Sequence, residues 1–275
     1  MRLIEALDYA TEELNNCCES PEFEATVLLE EVSGKSKEEI LIKNEILLKG
    51  VFKNFEKLIT RRTNGEPLQY IIGKINFLGI DIFVNQKSFI PRVETEFMTG
   101  YAIMEAKLFK NPRILEIGTG SGAIAVSLAL NLPDSLIFAT DISIETLGIC
   151  KKNIAYHQLK NQILTLCADS IKPIRLINQF DIIISNPPYI PEEELQYLPE
   201  LVKREPRIAI DGGRNGVFII NQILRLSPLL LKKNGILYIE LAKVNIPYLD
   251  IPEDLNFEVL DDHLGKKRIF RGVKK

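Results

Sequence analysis

The sequence predicts an α/β fold: a doubly wound, mostly parallel sheet preceded by a small helical domain. Three observations carry that expectation. Beyond Asn111, short β-branched apolar runs alternate with helical patterns, as in successive βαβ units. One of those runs, Phe180-Asp181-Ile182-Ile183-Ile184-Ser185, has the length and composition of a strand buried on both faces, as in a parallel sheet. The residues before about Glu66, by contrast, repeat their apolar positions at helical rather than strand spacing.

In chain order, Leu3, Leu7, Ala10 and Leu14 define a first helix. Ser20 as N-cap, Pro21 at the first helical position and Glu24 open a second, which ends at Gly34. Ser36 and Glu39 form a capping-box pattern for a third. A fourth runs from about Val51 to Arg62, with Asn64-Gly65 closing it. From Pro67 to Asn85 the pattern becomes extended, with residues 75–84 alternating around a glycine turn as a hairpin. Residues 86–96 read as a linker into a helix near Glu94–Leu108. Strands are then expected at Arg113–Ile117, Ser135–Thr140, Gln162–Cys167, Phe180–Ser185 and Ile236–Leu241, with a closing pair near Phe257–Leu260 and Arg268–Gly272. The intervening helices are Ala123–Leu130, Ile144–His157 and Val217–Leu231. Residues 190–216 hold prolines, acids and Gly212-Gly213 without a period, and only Glu193–Val202 reads as helical; a loop of this length in a compact domain is often functional. The division is 1–66 helical domain, 67–93 hairpin and linker, and 94–275 sheet domain.

The bulk properties exclude several classes. With 275 residues, 46% hydrophobic and 26% charged, the composition is that of a soluble globular protein with a sizeable core. No apolar run approaches a bilayer span, and Glu5 interrupts the region where a secretory leader would be apolar; a cytoplasmic location and no membrane partner are expected. A net charge of −3 argues against a protein that relies on phosphate neutralisation to bind nucleic acid; the basic C-terminus (Lys266, Lys267, Arg268, Arg271, Lys274, Lys275) reads as a solvated tail. Cys17, Cys18, Cys150 and Cys167 show no CxxC spacing, and only His157 and His263 accompany them, so no metal site is expected.

Four motifs carry chemistry, all at expected carboxyl ends of parallel strands, where open α/β sheets bind ligands. Glu116-Ile117-Gly118-Thr119-Gly120-Ser121-Gly122 joins the first strand to its helix; glycines there allow unusual φ and a close backbone approach, and the helix N-terminus offers free N–H groups. The spacing is GxGxG rather than GxGxxG, no P-loop lysine follows, and a tight βα turn would look the same. Asp141 ends the second strand at the offset of a ribose-binding acid, though it or Ser143 would equally cap the next helix. Asp169-Ser170 follows the third strand. Loop, acid and second polar loop describe a pocket for an adenosyl group. Asn186-Pro187-Pro188-Tyr189 follows the buried strand: two prolines end the ladder and hold an amide and an aromatic ring at the same edge, unless the stretch is only a strand-ending turn.

Together these motifs resemble the class I methyltransferases that use S-adenosylmethionine, whose sheet is Rossmann-like with an antiparallel C-terminal strand. Gly65-Glu66-Pro67-Leu68-Gln69-Tyr70-Ile71-Ile72-Gly73, Phe77, Ile90-Pro91-Arg92-Val93-Glu94-Thr95-Glu96, Glu205-Pro206-Arg207 and Asp211-Gly212-Gly213-Arg214-Asn215-Gly216 narrow the resemblance to the HemK/PrmC-type release factor glutamine methyltransferases, over nearly the whole chain. That resemblance implies S-adenosylmethionine held by Gly118, Thr119, Gly120, Ser121, Gly122, Asp141, Asp169, Ser170 and Asn186. It implies a protein substrate, the glutamine of the Gly-Gly-Gln motif of peptide chain release factors, docked in part by the N-terminal helices and by 190–216. The Asn186 side-chain oxygen and the Pro187 carbonyl would accept the two amide hydrogens and aim the lone pair, Pro188 would stiffen the turn, and Tyr189 would pack on the planar amide; orientation suffices because the sulfonium is already electrophilic. Methylation of a ribosomal-protein glutamine or of a nucleic-acid amino group (adenine N6, guanine N2) poses the same lone-pair problem. A monomer is expected. The chain departs from the family pattern at Ala242, where Gly is usual, and at Ser170, where a bulkier residue is usual.

Overall fold

Apolar residues at helical spacing build the first of two units. The computed structural model describes residues 1–169 and 178–275, and the chain divides into Met1–Lys74 with Glu200–Arg204, and Ile75–Pro199 with Glu205–Lys275. In the first unit α1 (Leu3–Leu14), α2 (Pro21–Ser33), α3 (Lys37–Lys43) and α4 (Lys49–Thr63) bury Leu3, Leu7, Leu14, Leu28, Leu29, Phe55 and Ile59 in one cluster. The capping box forms as expected, with Ser36 Oγ accepting from Glu39 N and Glu39 Oε2 from Ser36 N, both at 3.3 Å. Ser20 occupies the N-cap of α2 without a side-chain bond; Pro21, with its preset φ, opens that helix instead. Buried Arg62 of α4 forks onto Glu24 of α2 through both Nε and Nη2.

One expectation fails here. Residues 68–72 are not extended but form α5 (Leu68–Ile72), ended by Gly73 at φ 80°. The reason is spacing: Leu68, Ile71 and Ile72 stand at i, i+3 and i+4, and all three pack on the helical cluster, so burial overrides the β-branched preference. The single turn α9 (Glu200–Lys203) also belongs to this unit, where Arg204 Nη2 donates to Asn64 O at 3.3 Å.

The expected hairpin, β1 (Lys74–Phe77) and β2 (Ile80–Phe83), belongs to the second unit from Ile75 onward and turns through Leu78 and Gly79, both at positive φ. A seven-stranded sheet follows: β3 (Arg113–Ile117), β4 (Leu136–Asp141), β5 (Ile163–Cys167), β6 (Phe180–Ser185), β7 (Leu231–Glu240), β8 (Leu255–Asp261) and β9 (Lys267–Lys274). Its order is β5-β4-β3-β6-β7-β9-β8. Strands β3 to β7 pair in parallel, while β9 is antiparallel to both of its neighbours. Helices α6 (Val93–Ala106), α7 (Ala123–Asn131), α8 (Ile144–Tyr156) and α10 (Phe218–Leu230) accompany it. β7 begins at Leu231 rather than Ile236, because Leu231 pairs with Phe180 before a register shift.

This order fixes where a ligand can sit. The chain steps outward in one direction from β3 to β4 and β5, then returns to the other side of β3 with β6. The carboxyl ends of β3 and β6 are therefore a topological switch point. Ile117 and Ser185 are register partners there, and Ser185 Oγ donates to Ile117 O at 2.7 Å. Asn153 of α8 fastens the hairpin to this edge: it pairs with both backbone groups of Phe83 (2.8 and 2.9 Å) and donates to Ser121 O at 2.8 Å.

Residues 190–199 and 205–216 carry no period because they are 3-10 turns (Glu192–Tyr197, Arg207–Ala209, Arg214–Gly216) joined by backbone bonds. Ile190 N donates to Ile210 O at 3.2 Å and Gly212 N to Ile190 O at 2.9 Å.

Candidate active site

The loop after β3 takes its shape from glycine conformations. Gly118, Gly120 and Gly122 have φ of 71°, 56° and 84°, the left-handed region that residues with a Cβ seldom adopt. At Gly122 a second constraint applies, since a Cβ would lie 2.7 Å from Cys150 Sγ. That glycine serves the packing of α7 against α8.

Beneath the loop lies a buried carboxyl, Glu116. Its Oε2 accepts from Thr119 Oγ1 at 2.8 Å, while its Oε1 and the neighbouring buried Ser121 Oγ have no partner among the described residues. Burial raises the Glu116 carboxyl to about 8, helped by the nearby charge of Asp141 and opposed by the Thr119 hydroxyl. Asp141 at the end of β4 holds the loop in place: Oδ2 accepts from Gly120 N and Oδ1 from Ser143 N, both at 2.9 Å. Burial raises its carboxyl, opposed by those two N–H groups. Ser143 caps α8, its Oγ accepting from Thr146 N at 3.2 Å, so the cap is Ser143 and not Asp141.

Across the switch point, Asn186 Nδ2 donates to Thr95 Oγ1 at 2.9 Å. Thr95 Oγ1 in turn donates to Glu240 Oε2 at 2.6 Å, and Tyr189 Oη donates to Glu240 Oε1 at 3.1 Å. Glu240 is fully buried at the end of β7, and burial raises its carboxyl to about 7 against the bonds from Thr95 and Tyr189. The backbone of the turn is clamped as well: Asn245 Nδ2 donates to Tyr189 O at 3.0 Å and to Asn215 O at 2.9 Å. Gly216 makes room for this, since a Cβ there would lie 2.1 Å from Tyr189 O. Ala242 adopts φ −100° and ψ 154°, extended backbone open to any residue, so its departure from glycine brings no strain.

A pocket opens between these two sides. Of the residues singled out in the sequence, Gly118, Thr119, Gly120, Ser121, Asp141, Asp169, Asn186 and Pro188 line it, together with Glu116, Phe89, Pro91, Thr95 and Ile208. Gly122, Pro187 and Tyr189 are not part of the lining. Pro187 is buried, and the Tyr189 ring packs on the apolar cluster around Leu237 and Ile239 with its hydroxyl turned to Glu240. Ser170 lies outside the described residues. Glu116 and Thr95 enter the sequence reading only inside longer motifs, with no role of their own, and Glu240 is not among its site residues. The available signal was an acid inside, or ending, an otherwise apolar strand at the carboxyl edge of a parallel sheet. Glu205 too enters only inside a motif; its buried carboxylate pairs with Arg92 and accepts from Ile90 N at 2.9 Å, fastening one rim of the pocket.

The pocket suits a cofactor with a cationic amine and a ribose. Glu116 Oε1 and Ser121 Oγ are buried acceptors without a hydrogen-bond partner among the described residues, Asp141 keeps carboxylate lone pairs at the end of β4, and glycines leave the floor free of side chains. Among the described residues there is no cluster able to hold a metal ion, and no helix long and apolar enough to cross a membrane.

Known proteins share this architecture. Residues 5–73 match the PrmC N-terminal domain and residues 99–240 the methyltransferase small domain. A release factor glutamine methyltransferase from Moorella thermoacetica is 33% identical over 94% of this chain and 93% of its own length. One from Koribacter versatilis is 38% identical over 80% of this chain and 79% of its own. A bifunctional methyltransferase of Rickettsia typhi is 34% identical over 86% of this chain, which spans only 49% of that relative. Among solved structures, the hMettl16 catalytic domain bound to the MAT2A 3′UTR hairpin 6 shares the fold at a TM-score of 0.53 and 15% identity, over 85% of each chain; the sheet is that of class I methyltransferases. Matched in both of its units, and along nearly its whole length by a relative a third identical, the chain belongs to the release factor glutamine methyltransferase family.

Proposed function

We propose that the protein transfers a methyl group from S-adenosylmethionine to the side-chain amide nitrogen (N5) of glutamine in the Gly-Gly-Gln motif of peptide chain release factors. The observation that carries this reading is the placement of Asn186-Pro187-Pro188-Tyr189 at the switch point, with the Asn186 Nδ2 already committed to Thr95 and its oxygen left as an acceptor, in a chain of this family.

The chemical difficulty lies in the substrate: an amide nitrogen delocalises its lone pair into the carbonyl. S-adenosylmethionine supplies, when bound, a sulfonium-activated methyl group that needs no further activation; its transfer would leave the thioether S-adenosylhomocysteine, and the nitrogen that takes it gives up one of its two hydrogens as a proton to water. What the protein must supply is orientation. Asn186 Oδ1 and the Pro187 carbonyl accept the two N–H hydrogens, which favours a pyramidal nitrogen whose lone pair points across the switch point. The two prolines hold that carbonyl on a rigid backbone, and Asn245 keeps the Tyr189 carbonyl in place. On the other side Glu116 and Ser121 would meet the amine of the cofactor, Asp141 its ribose, and Asp169 its base, with Gly118 and Gly120 shaping the floor. We assign docking of the release factor in part to the helical unit, where Ile42, Ile46 and Leu48 are exposed.

The test is a competition for label. The protein is incubated with methyl-labelled S-adenosylmethionine, purified release factor, ribosomal proteins and DNA, and the labelled residue is located by mass spectrometry. Label on the release factor glutamine is expected. Label in nucleic acid or in a ribosomal protein, with none in the release factor, would overturn the reading.

A further inference from the structure

Asn186 is useful only if its amide faces the right way, because an NH₂ group in place of Oδ1 would repel the substrate hydrogens it has to accept. Nothing in the tetrapeptide itself decides this; the chain of bonds behind it does. A threonine hydroxyl carries one hydrogen, and an ionised carboxylate carries none. Tyr189 Oη donates to one oxygen of Glu240 at 3.1 Å and Thr95 Oγ1 to the other at 2.6 Å. With its hydrogen committed to Glu240, the Thr95 oxygen can only accept from Asn186, and it does so from Nδ2 at 2.9 Å. A flipped amide would set Oδ1 against the Thr95 oxygen, acceptor against acceptor, away from water.

We infer that Glu240 and Thr95 are positioning residues for the transfer proposed above: Glu240, through the Thr95 hydroxyl, fixes the direction of the Asn186 amide so that its oxygen faces the substrate. The inference rests on that functional reading for the meaning of the orientation, but not for the orientation itself. The arrangement spans distant parts of the chain, from α6 through the turn after β6 to the last residue of β7, and Glu240 is fully buried. The charged groups acting on it are Arg268, which favours its ionised form, and Glu94, which opposes it.

This network is sensitive to protonation. When Glu240 takes up a proton, one of its oxygens becomes a donor and Thr95 is free to turn its hydrogen toward Asn186. The flipped amide then becomes as good a partner as the native one. Burial places that event near neutral pH, about 7. The transfer rate should therefore decline on the acid side as Glu240 protonates.

The experiment uses the full chain with purified release factor, comparing wild type, Thr95→Ser, Thr95→Val and Glu240→Gln between pH 5.5 and 9. S-adenosylmethionine affinity by calorimetry and melting temperature monitor folding. Thr95→Val and Glu240→Gln should lower kcat by about 30-fold or more with cofactor affinity changed by less than about threefold, and Thr95→Ser, which keeps the hydroxyl, should recover most of the rate. The acid limb of the wild-type profile should vanish in Glu240→Gln. A second readout does not need turnover: with side-chain ¹⁵N labelling, the Asn186 NH₂ protons should exchange slowly in wild type and Thr95→Ser and rapidly in Thr95→Val and Glu240→Gln. Equal exchange in all four proteins, Thr95→Val at the wild-type rate, or Thr95→Ser as impaired as Thr95→Val would overturn the inference. A wild-type protein that leaves the release factor unlabelled but shows this exchange pattern would overturn the substrate assignment alone.

Discussion

The two sides of the pocket are built by different means. The side after β3 and β4 is local: three glycines, Glu116 and Thr119 lie within one short stretch, and Asp141 reaches back to Gly120 from the adjacent strand. The side after β6 is assembled from a distance. Asn186 leans on Thr95, Thr95 on Glu240 and Tyr189 on Glu240 again, while Asn245 and Gly216 secure the backbone. A cofactor cradle needs mainly absence of side chains and a few backbone donors, which short sequence motifs provide. Holding one amide in one orientation needs a directed hydrogen-bond chain, which only the assembled fold provides.

The comparison can be broken at each side. The largest effect is expected at Asn186→Ala, which removes the acceptor on the distant side and nothing from the cradle. Transfer should fall by about 10³-fold, the scale seen when a single preorganised polar group is lost, while S-adenosylmethionine binds nearly as before in calorimetry. Comparable loss of both would make Asn186 chiefly a cofactor ligand and erase the distinction. Asp141→Ala should do the converse, weakening cofactor binding by about 10- to 100-fold because hydrogen bonds to a charged group are lost. Its kcat at saturating cofactor should stay within a few-fold of wild type.

Two glycines sharpen the contrast through stability. A Cβ at Gly216 would meet the backbone oxygen of Tyr189 at 2.1 Å, whereas one at Gly122 would meet the side-chain sulfur of Cys150 at 2.7 Å. A sulfur can rotate away; a carbonyl clamped by Asn245 cannot. Both positions have positive φ, so both alanine variants lose stability, but Gly216→Ala should lose about 4 kcal/mol and Gly122→Ala about 2 kcal/mol in urea unfolding. Replacing Cys150 by Ala in the Gly122→Ala background should return part of the loss; no recovery would mean that backbone strain alone is responsible.

The same contrast explains which parts of the site are legible in the sequence. Strand β6 and its Asn-Pro-Pro-Tyr ending were legible because isoleucines and prolines leave few alternatives. The GxGxG loop and Asp141 were legible because their spacing follows one βαβ unit. Thr95 and Glu240 were not, since their meaning lies in a contact across much of the chain, and a lone acid after an apolar strand has many ordinary explanations. Helix α5 departs from the extended pattern for a related reason. Tyr70, Ile71 and Ile72 look extended locally, and only the helical cluster that receives Leu68, Ile71 and Ile72 makes them helical. The Tyr189 side chain was expected to face the substrate from its place in the motif; its hydroxyl bond to Glu240 is a property of the fold.

The smallest predicted effect concerns the cradle's buried acid. Glu116 ionises in the folded protein only at about 8, against an ordinary carboxylate value of 4.5. Below pH 4.5 both folded and unfolded chains hold the proton, and Glu116 makes no pH-dependent contribution. Between pH 4.5 and 8 the unfolded chain releases it and the folded chain keeps it, so the folded state binds more protons and stability falls as pH rises. Glu116→Gln removes that dependence. Relative to wild type, the variant should gain stability between pH 5 and pH 8 in urea unfolding, a flatter profile rather than a uniformly higher one. Saturating S-adenosylmethionine should restabilise wild type more than the variant at pH 8, because a cationic amine beside Glu116 would favour the charged carboxylate that burial disfavours. An equal gain in both proteins would separate Glu116 from the cofactor and leave it as a structural bond to Thr119.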